Sequence, residues 1–134
     1  MKVLVTPQSF YHTPEPAALL KNAGIEIVAN PFHRPLAAAE MINLIQEADG
    51  IDAMIAGLDE ITGEVLAAAA PRMKLLAKYG VGYNNVDLAA ARAHNLLITT
   101  TRGANAKSVA ELTFGLMLDC VRHISRMDEV VKAG

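Results

Sequence analysis

Apolar and polar positions along the chain fall into two alternating kinds of stretch. Five short runs, Lys2 to Thr6, Glu26 to Ala29, Ala53 to Ala56, Leu75 to Lys78 and Leu97 to Thr99, are rich in aliphatic and β-branched residues. Their length and near-continuous apolar character predict strands buried on both faces. Between them lie Ala-rich stretches with helical periodicity. Pro16 to Ala23 is closed by Gly24, Leu36 to Ala48 ends near Gly50, and Gly63 to Ala70 stops at Pro71. Asp87 stands where an N-cap is needed for Leu88 to His94, and Asn95 follows as a stop.

The order is βαβαβαβαβα. Parallel strands need crossovers of about this length, so the fold class is α/β. The expected architecture is a flavodoxin-like, doubly wound, five-stranded parallel sheet. The fifth helical stretch is the odd one. Ser108 and Glu111 have capping-box spacing, and the pattern then runs unbroken to Lys132. At 1.5 Å per residue that is roughly 36 Å, more than a compact domain of this size needs. Val109, Leu112, Leu116, Cys120, Ile124, Met127 and Val131 form one stripe, widened by Met117 and Val121. Its far half is expected to pack on something beyond this sheet, the alternative being a terminal helix docked across the sheet itself.

Composition narrows the function classes. The 134 residues make one domain by length, able to bury roughly two-thirds of its unfolded surface. Twelve basic and fourteen acidic residues give a net charge of −2 with no block of either sign, so nucleic acid and anionic membranes are not expected partners. One cysteine, Cys120, allows no internal disulfide and no Cys-based zinc site. A cytoplasmic protein is expected, with neither a signal-peptide core in MKVLVTP nor a membrane span. His12, His33, His94 and His123 share no ligand spacing. On the long stripe, Met117, Met127 and Cys120 read as packing residues rather than redox groups.

The candidate chemistry lies in KYGVGYNNVDL, Lys78 to Leu88. Gly80 and Gly82 fill the first two places of a dinucleotide fingerprint, but the third place is Asn85, and Thr100 stands where a ribose-binding acid belongs. What remains is a strand end whose amides can approach a small anion closely, because glycine has no Cβ to fend it off. A carboxylate fits that loop better than a pyrophosphate. A plain turn, with Asn84, Asn85 and Asp87 as turn and cap residues and Tyr83 covering the strand end, is the competing reading.

Three linked motifs, YGVGYNNVDL, GANAKSVAE (Gly103 to Glu111) and LTFGLML, resemble the D-isomer-specific 2-hydroxyacid dehydrogenase family, in particular its phosphoglycerate dehydrogenase-like branch. The match is contiguous from Leu75 to Ile124, and ITGEVL at Ile61 to Leu66 extends it weakly towards Met1. The resemblance implies two-domain chains in which an NAD-binding domain is inserted after a linking helix. Residues 1–134 would then be the substrate-binding domain, cut before that insertion, with 108–133 as the linking helix.

By the same resemblance, the amides of Val81 and Gly82 hold the substrate carboxylate, with Val81 at the edge of the nicotinamide site. Gly57 and Leu58 line the other side of the pocket, and Asn105 faces substrate and nicotinamide. The cofactor is NAD or NADP, bound mainly outside this chain. The partners are a small 2-hydroxy or 2-oxo acid, the protein's own nucleotide-binding domain and a second copy in a homodimer. The catalytic His, its acid and the substrate-clamping Arg belong to the missing portion, so the chain alone is expected to be inactive.

Two departures qualify this. Asp59 and Glu60 in AGLDEIT stand where phosphoglycerate-specific members often carry basic residues, which argues against a phosphorylated substrate. Arg102 occupies a common proline position and is a candidate partner for an anionic substrate, or else an exposed loop arginine. A response-receiver module of the same fold is excluded, because its acidic positions read Thr6-Pro7 and Ala56-Gly57 here. A non-catalytic dinucleotide-sensing relative and a free-standing small-anion-binding module remain open alternatives.

Overall fold

A computed structural model describes residues 1–134 as two compact units, Met1–Thr101 and Arg102–Gly134. The first unit contains β1 (Lys2–Val5), α1 (Glu15–Asn22), β2 (Glu26–Ala29), α2 (Ala38–Glu47) and β3 (Ala53–Ala56). It continues with α3 (Gly63–Ala69), β4 (Leu75–Lys78), α4 (Leu88–Ala93) and β5 (Leu97–Thr100). All strand pairs are parallel and the order is β2-β1-β3-β4-β5, the expected flavodoxin-like arrangement.

Strand alternation divides the apolar side chains between two cores. The register sets Val28, Leu4, Met54, Leu76 and Ile98 in one row across the sheet. That row packs with Met41 and Ile45 of α2, Val65 and Leu66 of α3 and Ala91 of α4. Val3 and Val5 point the other way, into a smaller core with Phe10, Ala17, Leu20 and Ile55. Leu4, Met54 and Leu76 are completely buried, each contributing about 1.5–3 kcal/mol of apolar transfer.

Local chemistry sets the helix ends. Thr62 caps α3 by accepting the Val65 N–H at 3.4 Å, and Asp87 caps α4 by accepting the Ala90 N–H at 2.9 Å. Gly24 (φ 69°) and Asn95 (φ 55°) take the left-handed conformation that ends α1 and α4. A 3₁₀ turn at Gln8–Tyr11, absent from the sequence expectation, carries Phe10 into the smaller core.

The second unit differs from expectation. The helix foreseen from Ser108 to Lys132 is two helices, α5 (Ala106–Arg122) and α6 (Ile124–Ala133). His123 stands between them at φ 53°, ψ 41°. In an unbroken helix the Ser125 amide would bond to the carbonyl four residues back. Instead the Asp119 carboxylate accepts the Ser125 N–H at 2.7 Å and its hydroxyl at 2.9 Å. The Ser108–Glu111 capping box does not form either, because α5 starts upstream of it with Asn105 at the N-cap.

The apolar stripe of these two helices is open within this chain. Met117, Met127 and Cys120 are exposed, as are Leu112, Leu116 and Val121. Two helices in contact with each other lack the surface to bury so wide a face. No helix is long and apolar enough to cross a membrane.

Candidate functional site

The carboxyl ends of β1, β3 and β4 meet at one rim of the first unit. In a 2-1-3-4-5 sheet the chain reverses its direction of winding between β1 and β3, leaving a crevice where no crossover covers the strand ends. A cleft of about 380 Å³ occupies that place. Pro7 and Gln8 line it from the end of β1, His33 and Arg34 from the segment after β2, Gly57 and Leu58 from β3, and Tyr79 from β4.

Gly57 and Leu58 therefore stand at the rim. Leu58 is 82% exposed, an apolar side chain in open solvent beside a cleft. Val81 and Gly82 lie two and three residues past Tyr79 on the loop after β4. They are exposed and outside the cleft lining, and neither amide donates to a group of this chain. Gly80 takes φ 150°, which L-residues rarely adopt, whereas Gly82 does not need a positive φ and has only Asn84 Oδ1, at 3.7 Å, near the place of a Cβ. The first glycine thus shapes the turn, and the second leaves open space in front of it. Tyr83 is half exposed and Tyr79 lines the cleft in its place.

Behind the rim is a buried polar network that sequence reasoning missed. The Asp59 carboxylate, 1% exposed, accepts the Leu36 N–H and the Gly57 N–H, both at 2.9 Å, and the Thr6 hydroxyl. Of the acidic pair read from the sequence as disfavouring a phosphorylated substrate, Asp59 is thus engaged inside the fold and Glu60 faces solvent. A turn whose amides point inward needs an acceptor there, and an aspartate three residues past the strand end is the signal that could have revealed it.

Lys78, 4% exposed at the end of β4, donates from Nζ to the Gly57 carbonyl oxygen. Burial lowers its pKa below the ordinary lysine value, and the Asp59 carboxylate pulls it part of the way back. Asn85, which replaces the third fingerprint glycine, donates from Nδ2 to the same Gly57 oxygen at 3.1 Å and to the Asp59 carbonyl at 2.7 Å. The loop after β4 is thereby tied to the loop after β3. Arg34 is committed elsewhere, in a two-pronged pair with Glu40 at 2.8 and 2.6 Å while lying over the Phe32 ring.

The remaining candidates, Arg102 and Asn105, belong to the second unit. Both are exposed. The Asn105 carbonyl accepts the Val109 N–H at 2.9 Å, and its side chain makes no cap bond. No group of three or more His, Cys, Asp or Glu side chains is arranged to hold a metal ion.

The profile of the family described as D-isomer specific 2-hydroxyacid dehydrogenase, catalytic domain, matches residues 5–117. The chain belongs to this family. It is 35% identical over 95 residues to a hydroxypyruvate reductase of Thermotoga maritima, covering 71% of this chain and 30% of the relative. It is 30% identical over 122 residues to a glyoxylate reductase of Thermofilum pendens, covering 90% and 35% respectively. Among solved structures, a D-lactate dehydrogenase from Aquifex aeolicus, complexed with NAD and lactic acid, superposes with TM-score 0.72 and 27% identity. That likeness covers 98% of this chain and 37% of the other. The chain thus spans about a third of the length of these family members.

Proposed function

We propose that this chain is the substrate-binding domain of an NAD- or NADP-dependent oxidoreductase acting on small 2-hydroxy and 2-oxo acids. The observation that carries the reading is the pair of unpaired amides at Val81 and Gly82, set on a strand-end loop beside the cleft. Backbone N–H groups held by a rigid sheet bind a carboxylate with little reorganisation, which positions C2 of the acid for reaction. Family membership and the printed activities of the relatives support the same substrate class.

The chemistry is a hydride transfer. Oxidation of the hydroxy acid moves H⁻ from C2 to the nicotinamide ring and the hydroxyl proton to a base, leaving the 2-oxo acid; reduction runs the reverse. The nicotinamide cofactor supplies the hydride donor or acceptor. This chain has no complete dinucleotide fingerprint, so its own contribution to that group is confined to Val81 at the ring's edge. Its residues bind and orient the acid, with Gly57, Leu58 and Gly82 as pocket wall. The proton-transferring base and the clamp on the substrate come from residues outside this chain, in a nucleotide-binding domain of the same protein.

A titration of the ¹⁵N-labelled chain with glyoxylate and with oxamate, followed by amide chemical shifts, tests the carboxylate loop. Saturable shifts are expected at Val81 and Gly82, with inorganic phosphate giving weaker ones. Shifts confined to other amides would remove this loop from the site. In parallel, the complete gene product is expected to oxidise NADH or NADPH with a 2-oxo acid. Nucleotide binding without turnover would instead favour a dinucleotide-sensing role.

A further inference from the structure

The Gly57 carbonyl accepts two donors, Lys78 Nζ and Asn85 Nδ2, and both come from the segment that also carries Val81 and Gly82. Neither donor lines the cleft, whereas Gly57 and Leu58 do. No peptide bond in the chain is cis. In a trans peptide the C=O and N–H point to opposite sides, so fixing the Gly57 oxygen also fixes the Leu58 N–H, which has no acceptor in this chain. The Gly57 N–H on the preceding peptide is held by Asp59. Both peptides flanking Gly57 are therefore immobilised, and one unused donor and one exposed apolar side chain remain at the cleft.

We propose that Lys78 and Asn85 are positioning residues of the substrate site. They couple the Gly57–Leu58 wall to the Val81–Gly82 loop, so that the two sides of the pocket keep one spacing. This rests on the reading of those two loops as the substrate site. A lysine is an unusual choice for a buried strand end, since stability alone is served as well by an apolar side chain of similar length. Lys78 reaches the carbonyl of the neighbouring strand's loop with a charge-assisted hydrogen bond, which an apolar chain cannot make. Asn85 adds a second donor, and its position in place of a fingerprint glycine is accounted for by this contact rather than by nucleotide binding.

The experiment is steady-state kinetics of the complete gene product carrying K78M, K78R, N85A and the double change K78M/N85A, with thermal unfolding measured on each. If positioning is the role, K78M keeps a melting temperature near that of the wild type yet loses at least about tenfold in kcat/KM for the 2-oxo acid. The KM for nicotinamide nucleotide stays constant, and K78R restores most of the loss. N85A alone loses less than K78M, and the double variant loses more than the product of the two single effects, because the carbonyl then has no donor left. Amide shifts of Gly57 and Leu58 in the ¹⁵N-labelled K78M chain report the released peptide directly.

Wild-type kinetics in a folded K78M and N85A would overturn the proposal. So would a loss of activity that only follows the loss of melting temperature across the four variants. Failure of the wild-type protein to reduce any 2-oxo acid would instead strike the functional reading itself, and the two failures are distinguishable.

Discussion

Thr6 and Asp59, fifty-three residues apart, are joined by a buried hydrogen bond from the Thr6 hydroxyl to the Asp59 carboxylate at the carboxyl ends of β1 and β3. The same carboxylate also accepts the Leu36 and Gly57 amides, so one side chain satisfies donors from three separated segments. Removing it takes the carboxylate acceptor from all three, leaving the Gly57 amide only the long 3.4 Å contact with the Thr6 hydroxyl. D59A is expected to destabilise the chain by about 3 kcal/mol, as the cost of leaving buried donors unpaired, read as a lower urea midpoint with an unchanged m-value. T6V removes one donor together with its need for a partner, so it should cost less than half as much.

The two glycines of the loop after β4 should respond differently to substitution. Gly80 sits at φ 150°, so G80A is expected to lose about 1–3 kcal/mol of stability from backbone strain. Gly82 has room for a Cβ and no positive φ, so G82A should melt with the wild type. Its methyl group would project beside the proposed carboxylate position. G82A and, more strongly, G82V are therefore expected to raise the KM for the 2-oxo acid and lower kcat/KM in the complete gene product. Unchanged kinetics in a folded G82V would show that the acid binds elsewhere.

Much of this arrangement is legible in the residues alone, and the parts that are not share a physical cause. The five strands and the cap at Asp87 are local matters of apolar run length and side-chain oxygens, so they can be read along the chain. The roles of Lys78, Asp59 and Asn85 are not local. Each depends on a partner twenty or more residues away or on the inward direction of a loop amide, and a lysine or aspartate at a strand end reads as solvent-facing. The break at His123 is hidden because the apolar stripe continues in phase across it. Only the competing bond that the Ser125 amide donates to the Asp119 carboxylate reveals the turn.

That break can be checked directly. The Asp119 carboxylate has its pKa lowered chiefly by the Ser125 backbone bond and then by the Ser125 hydroxyl, so it is held in the form that caps α6. D119A removes the cap, and the Ser125 amide is then free to return to the helical ladder. The expected result is a rise in helix content by circular dichroism, with the ¹³Cα shift of His123 moving to helical values. Unchanged shifts would mean that the left-handed turn at His123 stands without the cap.

Acid stability follows from two carboxylates. Glu40 is lowered to about 2 by its bond from Arg34 and then by the Ala37 amide, and Asp52 to about 2 by Arg72 and then the Lys2 amide. Both folded values lie below those of the unfolded chain, so between about pH 4 and pH 2 the unfolded state binds more protons. Their contribution is present above that window and is lost as the pH falls through it. Both groups are solvent-accessible, so salt should weaken the effect. In E40Q/D52N the slope of stability against pH should flatten between about 4 and 2 in urea titrations.

At the alkaline end the sign reverses in origin. Burial lowers the Lys78 pKa, against the opposing pull of Asp59, so the folded state releases this proton at a lower pH than the unfolded chain does. In the interval below the ordinary lysine value the unfolded state therefore binds more protons, and stability rises with pH. Tyr11 works in the opposite direction, since burial raises its pKa above the ordinary value of 10.0 and its contribution falls off beyond that pH. The informative comparison is thus wild type against K78M at pH values below about 10, where Tyr11 is silent in both states. The wild type should gain stability relative to K78M as the pH rises across that range. A constant difference would mean that the Lys78 ammonium is as well solvated as in the unfolded chain, and that its bond to Gly57 offsets the whole cost of burial.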